Sequence, residues 1–450
     1  MPAHTEQAGW RFAIDRGGTF TDIVAWSPTG ELYTHKVLSS DPRNSRDAAV
    51  RGMEEVLSRQ GAGVVVSSIR LGTTVATNAL LERKGEPTWL VTTRGFRDAL
   101  RIGYQNRPDI FARRIELPAA VYEGVVEADE RLDADGGVLA ELDEQSLRRD
   151  LEVLRAQGAR SLAIAFVHGF RHPRHELRAA AIAHEIGFEE IVVSHVAAPM
   201  LGLVSRGDTT LADAYLSPVL SRYLRQFKHE MSTRFGEPSI SFMQSNGGLV
   251  DEQGFRGINA ILSGPAGGIV GMVAAGTTDR ERKLIGLDMG GTSTDISILA
   301  GELPRRFESE IDGVRIQAPM MDIHTIAAGG GSVLHFMGGR LQVGPDSASA
   351  DPGPACYRRG GPATLTDCNV VLGRIVPDRF PKVFGPAGDQ PLDGQASREA
   401  LADIAQAVAE AGGPKFGVEE IADAFITVAA ARMANAIREL SLRHGHDPSQ

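Results

Sequence analysis

Cysteine is nearly absent: the 450-residue chain has two, Cys356 and Cys368. Two thiols cannot build a disulfide framework or a four-cysteine zinc site, so both are expected to serve as small packing residues. Excess positive charge is also missing. A net charge of -10 leaves no basic surface for nucleic-acid phosphates, so no nucleic-acid partner is expected. No stretch approaches the roughly 20 uninterrupted apolar residues of a membrane span. The opening MPAHTEQAGW has neither a basic head nor an apolar middle, so no secretion signal and a cytoplasmic location are expected. What is present, 42% hydrophobic and 23% charged residues, is the composition of a folded chain long enough for two or three cores.

Strand-like and helix-like stretches alternate. WRFAID, FTDIVAWS and ELYTHKVLS read as three strands joined by tight turns, and residues 45–59 have helical spacing. The short apolar runs SIRLGTT, TWLVTT, SLAIAFVHG and IVVSHV follow, separated by helical patterns such as 144–158 and 173–187. A long helix is expected over 205–234, then SISFMQSNGG as a strand entering a glycine turn. This alternation predicts an α/β fold. Residues 314–386 read as loop-rich, and helices over 396–411 and 418–444 end the chain.

The opening pattern restarts at Lys283. FAIDRGGTFTDIV returns as IGLDMGGTSTDIS, and KLIGLD, STDISILA and PRRFESEI again read as three consecutive strands. Asp288 lies 273 residues after Asp15 (288 minus 15), a spacing that means two similar domains rather than a solenoid. Each motif, D-x-G-G-T-x-T-D, sits at a strand–turn–strand junction. Glycines let backbone N–H groups approach an anion, and threonine hydroxyls add donors. An aspartate cannot touch phosphate directly but can hold a hydrated Mg²⁺ or position a nucleophile. One copy alone is equally well a Gly-Gly hairpin. Two copies in matching settings predict one phosphate loop per lobe around a shared cleft.

The motifs DRGGTFTD, LGTTVATNALLERKG, GYQNRPDIF, SNGG, LSGPAGG, DMGGTSTD, HTIAAGGGS and ADPGPACYRRGGP, in this order, resemble the hydantoinase/oxoprolinase family from about Arg11 to Pro448. Within it, GPDSASADPGPACYRRGGPATLTDCNVVLGR, FPKVFGP and QPLD are most similar to the ATP-dependent 5-oxoprolinase branch. The resemblance implies a two-lobed actin–hexokinase–Hsp70-like (ribonuclease H-like) ATPase fold. Residues 11–200 would form an N-terminal lobe with the first loop, and 201–450 a hydantoinase A-like lobe with the second. Family members carry a further glycine-rich stretch after the segment RHGHDPSQ, so the fold is expected to be truncated at the C-terminus. ATP and Mg²⁺ are implied as cofactors, with K⁺ as a further candidate. The implied partners are a small lactam substrate and a hydantoinase B-like hydrolase half, fused or separate; a homo-oligomer is a further candidate, and no membrane partner is expected.

Under this reading Asp15 and Asp288 are the catalytic candidates, placed nearest the metal or the attacking oxygen. Arg16, Gly17, Gly18, Thr19 and Thr21 would line one phosphate loop, and Gly290, Gly291, Thr292 and Thr294 the other. Asp22 and Asp295 are expected to cap turns beside them. Gly329, Gly330 and Gly331 either open a helix facing phosphate or pack closely. Thr73, Thr74, Asn78, Arg107, Asn246, Gly247 and Gly248 are candidate substrate contacts. Thr73 is equally a helix N-cap, and Arg107 a salt-bridge partner. Asp322 and His324 alternate on a strand-like segment and read as a hydrogen-bonded structural pair rather than metal ligands. His168, His172 and His175 read as solvated. Moving the γ-phosphoryl of ATP onto a lactam carbonyl oxygen would make an imidate phosphate that water can attack. Hydantoins or ketones as substrates, a metabolite kinase, and a non-enzymatic ATP-gated switch are the competing functions.

Overall fold

A computed structural model describes residues 9–39, 46–59, 64–105, 110–115, 117–276 and 283–449. The strands expected at the start form as Trp10–Arg16, Phe20–Trp26 and Leu32–Leu38. They are the antiparallel half of a six-stranded sheet. Val66–Thr73 and then Ser239–Met243 add in parallel on the far side of Trp10–Arg16, and Leu249–Val250 closes that edge. The sheet therefore takes strands from both sides of residue 200. Its core alternates along each strand: Phe12, Ile14, Ile23 and Ala25 point inward under the helices Ala48–Leu57 and Val75–Leu81.

A second sheet is wholly parallel, in the order Glu190–Val193, Ser161–Ala165, Thr88–Thr93, Gly124–Ala128. Ser161–Ala165 is buried throughout, which is why its sequence is a continuous apolar run instead of an alternating one. The helices Glu144–Ala156 and Arg174–Ile186 cover it, close to the spans read from periodicity.

The long helix Leu203–Phe235 runs between these layers and continues through Pro218. Its side chains carry an unusual load. Arg206 is 1% exposed and donates to the Ser194 hydroxyl and to the carbonyls of Phe166 and Met200. Asp213 accepts from Arg256, which also reaches Glu190.

The second repeat forms a three-stranded antiparallel sheet, Lys283–Met289, Thr294–Ala300 and His324–Ile326. Its third strand is not PRRFESEI, as the pattern predicted. Arg305–Arg306 pairs with Met320–Met321, and Ser309–Ile311 turns through Asp312-Gly313 to pair with Val314–Ile316. Both of those turn residues have positive φ, the signature of a tight hairpin turn. That hairpin breaks away because Arg315 is drawn to Asp208 on the long helix, and Gln317 N–H donates to Thr209. The chain ends with helices Gly394–Glu410 and Val418–Arg443, packed with Leu365–Val371 into a third core.

Candidate active site

The two glycine hairpins have the same construction. Asp15 stands opposite Asp22 and Ile14 opposite Ile23; in the second copy Asp288 faces Asp295 and Leu287 faces Ile296. Each turn is closed by its first glycine, Gly17 N–H donating to Phe20 O at 3.0 Å and Gly290 N–H to Ser293 O at 2.9 Å. None of Gly17, Gly18, Gly290 and Gly291 has positive φ, so these glycines supply space rather than an unusual backbone.

The hairpins meet. A β-carbon on Gly291 would lie 2.3 Å from the Thr19 hydroxyl oxygen, whereas one on Gly18 would find nothing within 4 Å. Behind the second loop, Gly330 N–H donates to Gly290 O and Gly331 N–H to Gly291 O. A β-carbon on Gly329 would come within 2.6 Å of Ser293 N. The run then enters the strand Ser332–Met337, so the expected helix opening at Gly329–Gly331 does not form. These glycines are a close-packed backing for the loop, the other reading of the same residues.

The threonines divide by burial. Thr21 and Thr294 are fully buried; Thr21 shares a 2.9 Å hydroxyl hydrogen bond with Ser39, and Thr294 donates to Ala328 O. Both brace their own loop from behind. Thr292 is exposed, and Thr19 is buried at the junction of the loops. Arg16 turns away from the loop, donating to Asp47 and stacking over Tyr223.

Four carboxylates surround this junction. Asp15 remains reachable by solvent, yet the closeness of the walls, then Asp22 and Asp288, raise its pKa to about 6. Burial also raises Asp295, partly offset by the Thr325 hydroxyl that donates to it at 2.6 Å. Asp22 is paired with Lys36, whose ammonium also lies over the Phe20 ring. Among the described residues no three His, Cys, Asp or Glu side chains stand close enough to hold a metal by themselves. A cation here would need water and phosphate oxygens to complete its shell.

The stretch SGPAGG announces no role by its residue types alone. The helix Ser263–Gly276 brings Gly264 and Gly268, four residues apart on one face, against the two aspartates. Their β-carbons would lie 3.0 Å from Asp15 Oδ1 and 3.6 Å from Asp288 Oδ2. The helix start is fixed by Ser263, which donates to Thr73 O and accepts from Thr73 N–H. A cavity of about 340 Å³ lies beside it, lined by Gly268, Met272, Leu287, Asp288, Asp295 and Ser297. The available signal was the spacing of the glycines on one helical face.

Other candidates lie elsewhere. Thr73 is fully buried, and its hydroxyl accepts from Val75 N–H, close to the N-cap reading. Thr74 donates to Arg16 O, and the Asn78 amide donates to Thr74, so both brace the first loop. Asn246, Gly247 and Gly248 form a hairpin turn in which the Asn246 amide oxygen accepts from Gly248 N–H. Arg107 lies outside the described residues. Asp322 pairs with Arg306 and with His444, not His324, because the last helix delivers His444 Nε2 to 3.0 Å. His175 is buried and bonded to Glu130 at 2.7 Å, so the solvated reading fails there: the helix Arg174–Ile186 turns it inward.

Comparison with known proteins gives the family and the fold. A sequence family described as Hydantoinase/oxoprolinase matches residues 206–450, and one described as Hydantoinase/oxoprolinase N-terminal region matches 11–187. The chain is 43% identical to 5-oxoprolinase 1 of Arabidopsis thaliana over 97% of its own length, but spans only 37% of that protein. The crystal structure of ATP-dependent caprolactamase from Pseudomonas jessenii matches with a TM-score of 0.75 and 32% identity, over 97% of this chain and 64% of that one. Nucleotide-free acetone carboxylase shares the fold, with a TM-score of 0.80 at 23% identity over 98% of this chain and 64% of that one.

Proposed function

The chain belongs to the hydantoinase/oxoprolinase family, and from that premise we propose that it is the ATP-using part of a lactam-opening enzyme acting on 5-oxo-L-proline. The observation that carries the reading is the contact of the two glycine loops at Thr19 and Gly291, with Asp15 and Asp288 beside it. Gly18 and Thr292 offer open backbone and hydroxyl to a triphosphate, while Thr21, Thr294 and Gly329–Gly331 hold the loops rigid. Phosphoryl transfer needs positioning and charge neutralisation more than covalent help, and this cleft is built for positioning.

In the proposed reaction the lactam carbonyl oxygen attacks the γ-phosphorus and ADP leaves. The resulting imidate phosphate is hydrolysed in the remaining part of the enzyme to L-glutamate. Two waters are consumed overall, one accounted for by the released phosphate and one by ring opening. The repulsion among Asp15, Asp22 and Asp288 fits a divalent cation. Mg²⁺ would be held by Asp15 and Asp288 through water and would supply neutralisation of phosphate charge. The hydrolase portion, fused or as a second subunit, belongs to the same proposal, since 5-oxoprolinase 1 is a much longer protein.

The test is ADP release with Mg²⁺ in the presence of 5-oxoproline, caprolactam, hydantoin, acetone or nothing, on this chain and on the full-length gene product. Stimulation by 5-oxoproline supports the reading. A response to another compound reassigns the substrate. Phosphate retained on the product means a kinase, and turnover indifferent to every compound means an ATP-gated switch.

A further inference from the structure

The motif ADPGPACYRRGGP has no part in the site described above, yet the segment that carries it touches both glycine loops. Ala348 N–H donates to Gly331 O at 2.8 Å, and Gly331 N–H in turn donates to Gly291 O. Farther along, the Tyr357 ring meets Phe20, in the turn of the first loop, edge-on with centroids 6.4 Å apart. Asp367, fully buried, anchors the segment by accepting from the N–H groups of Ala355 and Cys356. The adjacent Thr366 donates its N–H and its hydroxyl to Gly330 O. Residues 348–361 therefore form a strap joined to the first loop and to the backing of the second.

The two arginines of the strap differ in their partners. Arg358 donates to Pro391 O and to Asp393. The side chain of Arg359 is only 13% exposed, and its Nη1 is buried with no hydrogen-bond partner among the described residues. The Asp351 carboxylate stands 3.6 Å from that nitrogen, beyond hydrogen-bond reach, on a side chain that is 55% exposed. An enclosed guanidinium N–H that has lost water and gained no acceptor costs stability. Such a group calls for a partner that the folded chain does not itself supply. The backbone around it is constrained as well. Ser349 and Arg358 both have positive φ, which residues other than glycine hold only where their surroundings impose it.

We propose that Arg359 is an anion-binding residue of the cleft, its planar fork receiving two oxygens of a phosphate or a carboxylate. The partner is an anion because a guanidinium donates five N–H groups and accepts none. Arg359 also brings a permanent positive charge to the strap of a junction that Asp15, Asp22, Asp288 and Asp295 surround. Two ligands of the proposed reaction carry suitable oxygens, the γ-phosphate of ATP and the carboxylate of 5-oxo-L-proline. The choice between these ligands rests on the proposed function; the anion site itself stands on the geometry of Arg359.

The test uses Arg359→Met and Arg359→Lys, with thermal melts on this chain and turnover on the full-length gene product. Without ligand, Arg359→Met should leave the thermal midpoint unchanged or raise it, because it removes an unpaired charge and keeps much of the volume. Inorganic phosphate, which carries neither nucleoside nor lactam, should raise the midpoint of the parent. That rise should fall by about half or more in Arg359→Met and be partly kept in Arg359→Lys. Two further arms name the anion. ATP affinity about tenfold weaker with ADP unaffected assigns the γ-phosphate. A half-saturating 5-oxoproline concentration about tenfold higher, with 2-pyrrolidinone (the same ring without a carboxylate) unaffected, assigns the substrate carboxylate. If no lactam stimulates the parent, the proposed substrate fails while the phosphate and ATP arms still decide Arg359. Asp351→Ala is the control for a structural ion pair and should leave every anion response unchanged or tighter. Matching losses in Asp351→Ala and Arg359→Met overturn the proposal. So do responses of Arg359→Met to phosphate, ATP and 5-oxoproline that all stay within about twofold of the parent, whatever its midpoint does.

Discussion

Thr19 and Gly291, 272 residues apart in sequence (291 minus 19), pack so closely that a β-carbon on Gly291 would lie 2.3 Å from the Thr19 hydroxyl oxygen. One loop is therefore part of the other's wall. The carboxylates beside them act as a set: Asp15 is pushed towards its neutral form first by the closeness of the walls, then by Asp22 and Asp288, one from each repeat. A cleft arranged this way binds nothing anionic without a cation or many N–H donors, and the glycine loops are the available source of donors.

Gly18 and Gly291 should therefore respond differently to the same change. Gly18→Ala meets open space, so its thermal midpoint should stay within about 1 °C of the parent, while ATP binding weakens about tenfold through loss of close approach. Gly291→Ala collides with Thr19 and should lower both stability and binding. Calorimetric titration with ATP, alongside thermal melts, checks both. Equal ATP affinity for Gly18→Ala and the parent would remove that loop from the phosphate site.

The threonines make a second pair. Thr294→Val deletes a buried hydroxyl that donates to Ala328 O and leaves that carbonyl unpaired. The expected cost is about 1–3 kcal/mol of stability in urea unfolding. Thr292→Val, at an exposed position, should be within about 0.5 kcal/mol of neutral for folding and should weaken ATP binding. The two variants thus separate holding the loop from contacting the ligand.

Both thiols should be silent in the native protein. Burial raises Cys368 to about 12 and Cys356 further, with Asp367 adding to each, so neither forms a thiolate near neutral pH. A thiol-reactive dye should label neither cysteine over minutes at pH 8 and both after denaturation. Rapid native labelling would contradict the packing role.

Most of the fold was legible because its signals are local. The helix expected over 205–234 forms as Leu203–Phe235, and the two glycine motifs announced their hairpins. The register match of Asp15 with Asp22 and Asp288 with Asp295 follows from identical spacing. The unread parts depend on contacts far apart in sequence. PRRFESEI has strand character, but Arg315 binding Asp208 carries its hairpin off the sheet. Local spacing puts Gly264 and Gly268 on one helical face, but nothing local says that two aspartates face them, that Thr21 faces inward to Ser39, or that His444 replaces His324 beside Asp322.

Arg206 should be among the costliest residues to change. It is fully buried, and three acceptors, Ser194 Oγ and the carbonyls of Phe166 and Met200, depend on it. Glu176, close by, accepts from Ser194 and His195. Arg206→Leu should cost about 3–5 kcal/mol, read as a lower urea midpoint with an unchanged slope. Arg206→Lys should recover little, because an ammonium cannot span three acceptors in a planar array.

Asp15→Asn should raise stability while abolishing ATP turnover. The carboxyl has an ordinary value of 3.8 and about 6 in the folded protein, so folding favours its neutral form. Below pH 4 it is protonated in both states, and the substitution should change stability little. Between pH 4 and 6 the unfolded chain ionises first, and the folded state falls behind as pH rises. Above pH 6 the folded protein carries a carboxylate disfavoured by its enclosed position and then by Asp22 and Asp288, and the full cost is present. Because Asp15 remains reachable by water, the gain for Asn is expected to be small, on the order of 1 °C in thermal midpoint at pH 7. The difference should shrink to nothing as pH falls towards 4. A stability loss at pH 7, or a gain that grows on acidification, would show that Asp15 is held by a favourable partner instead of being disfavoured by its enclosure and its acidic neighbours.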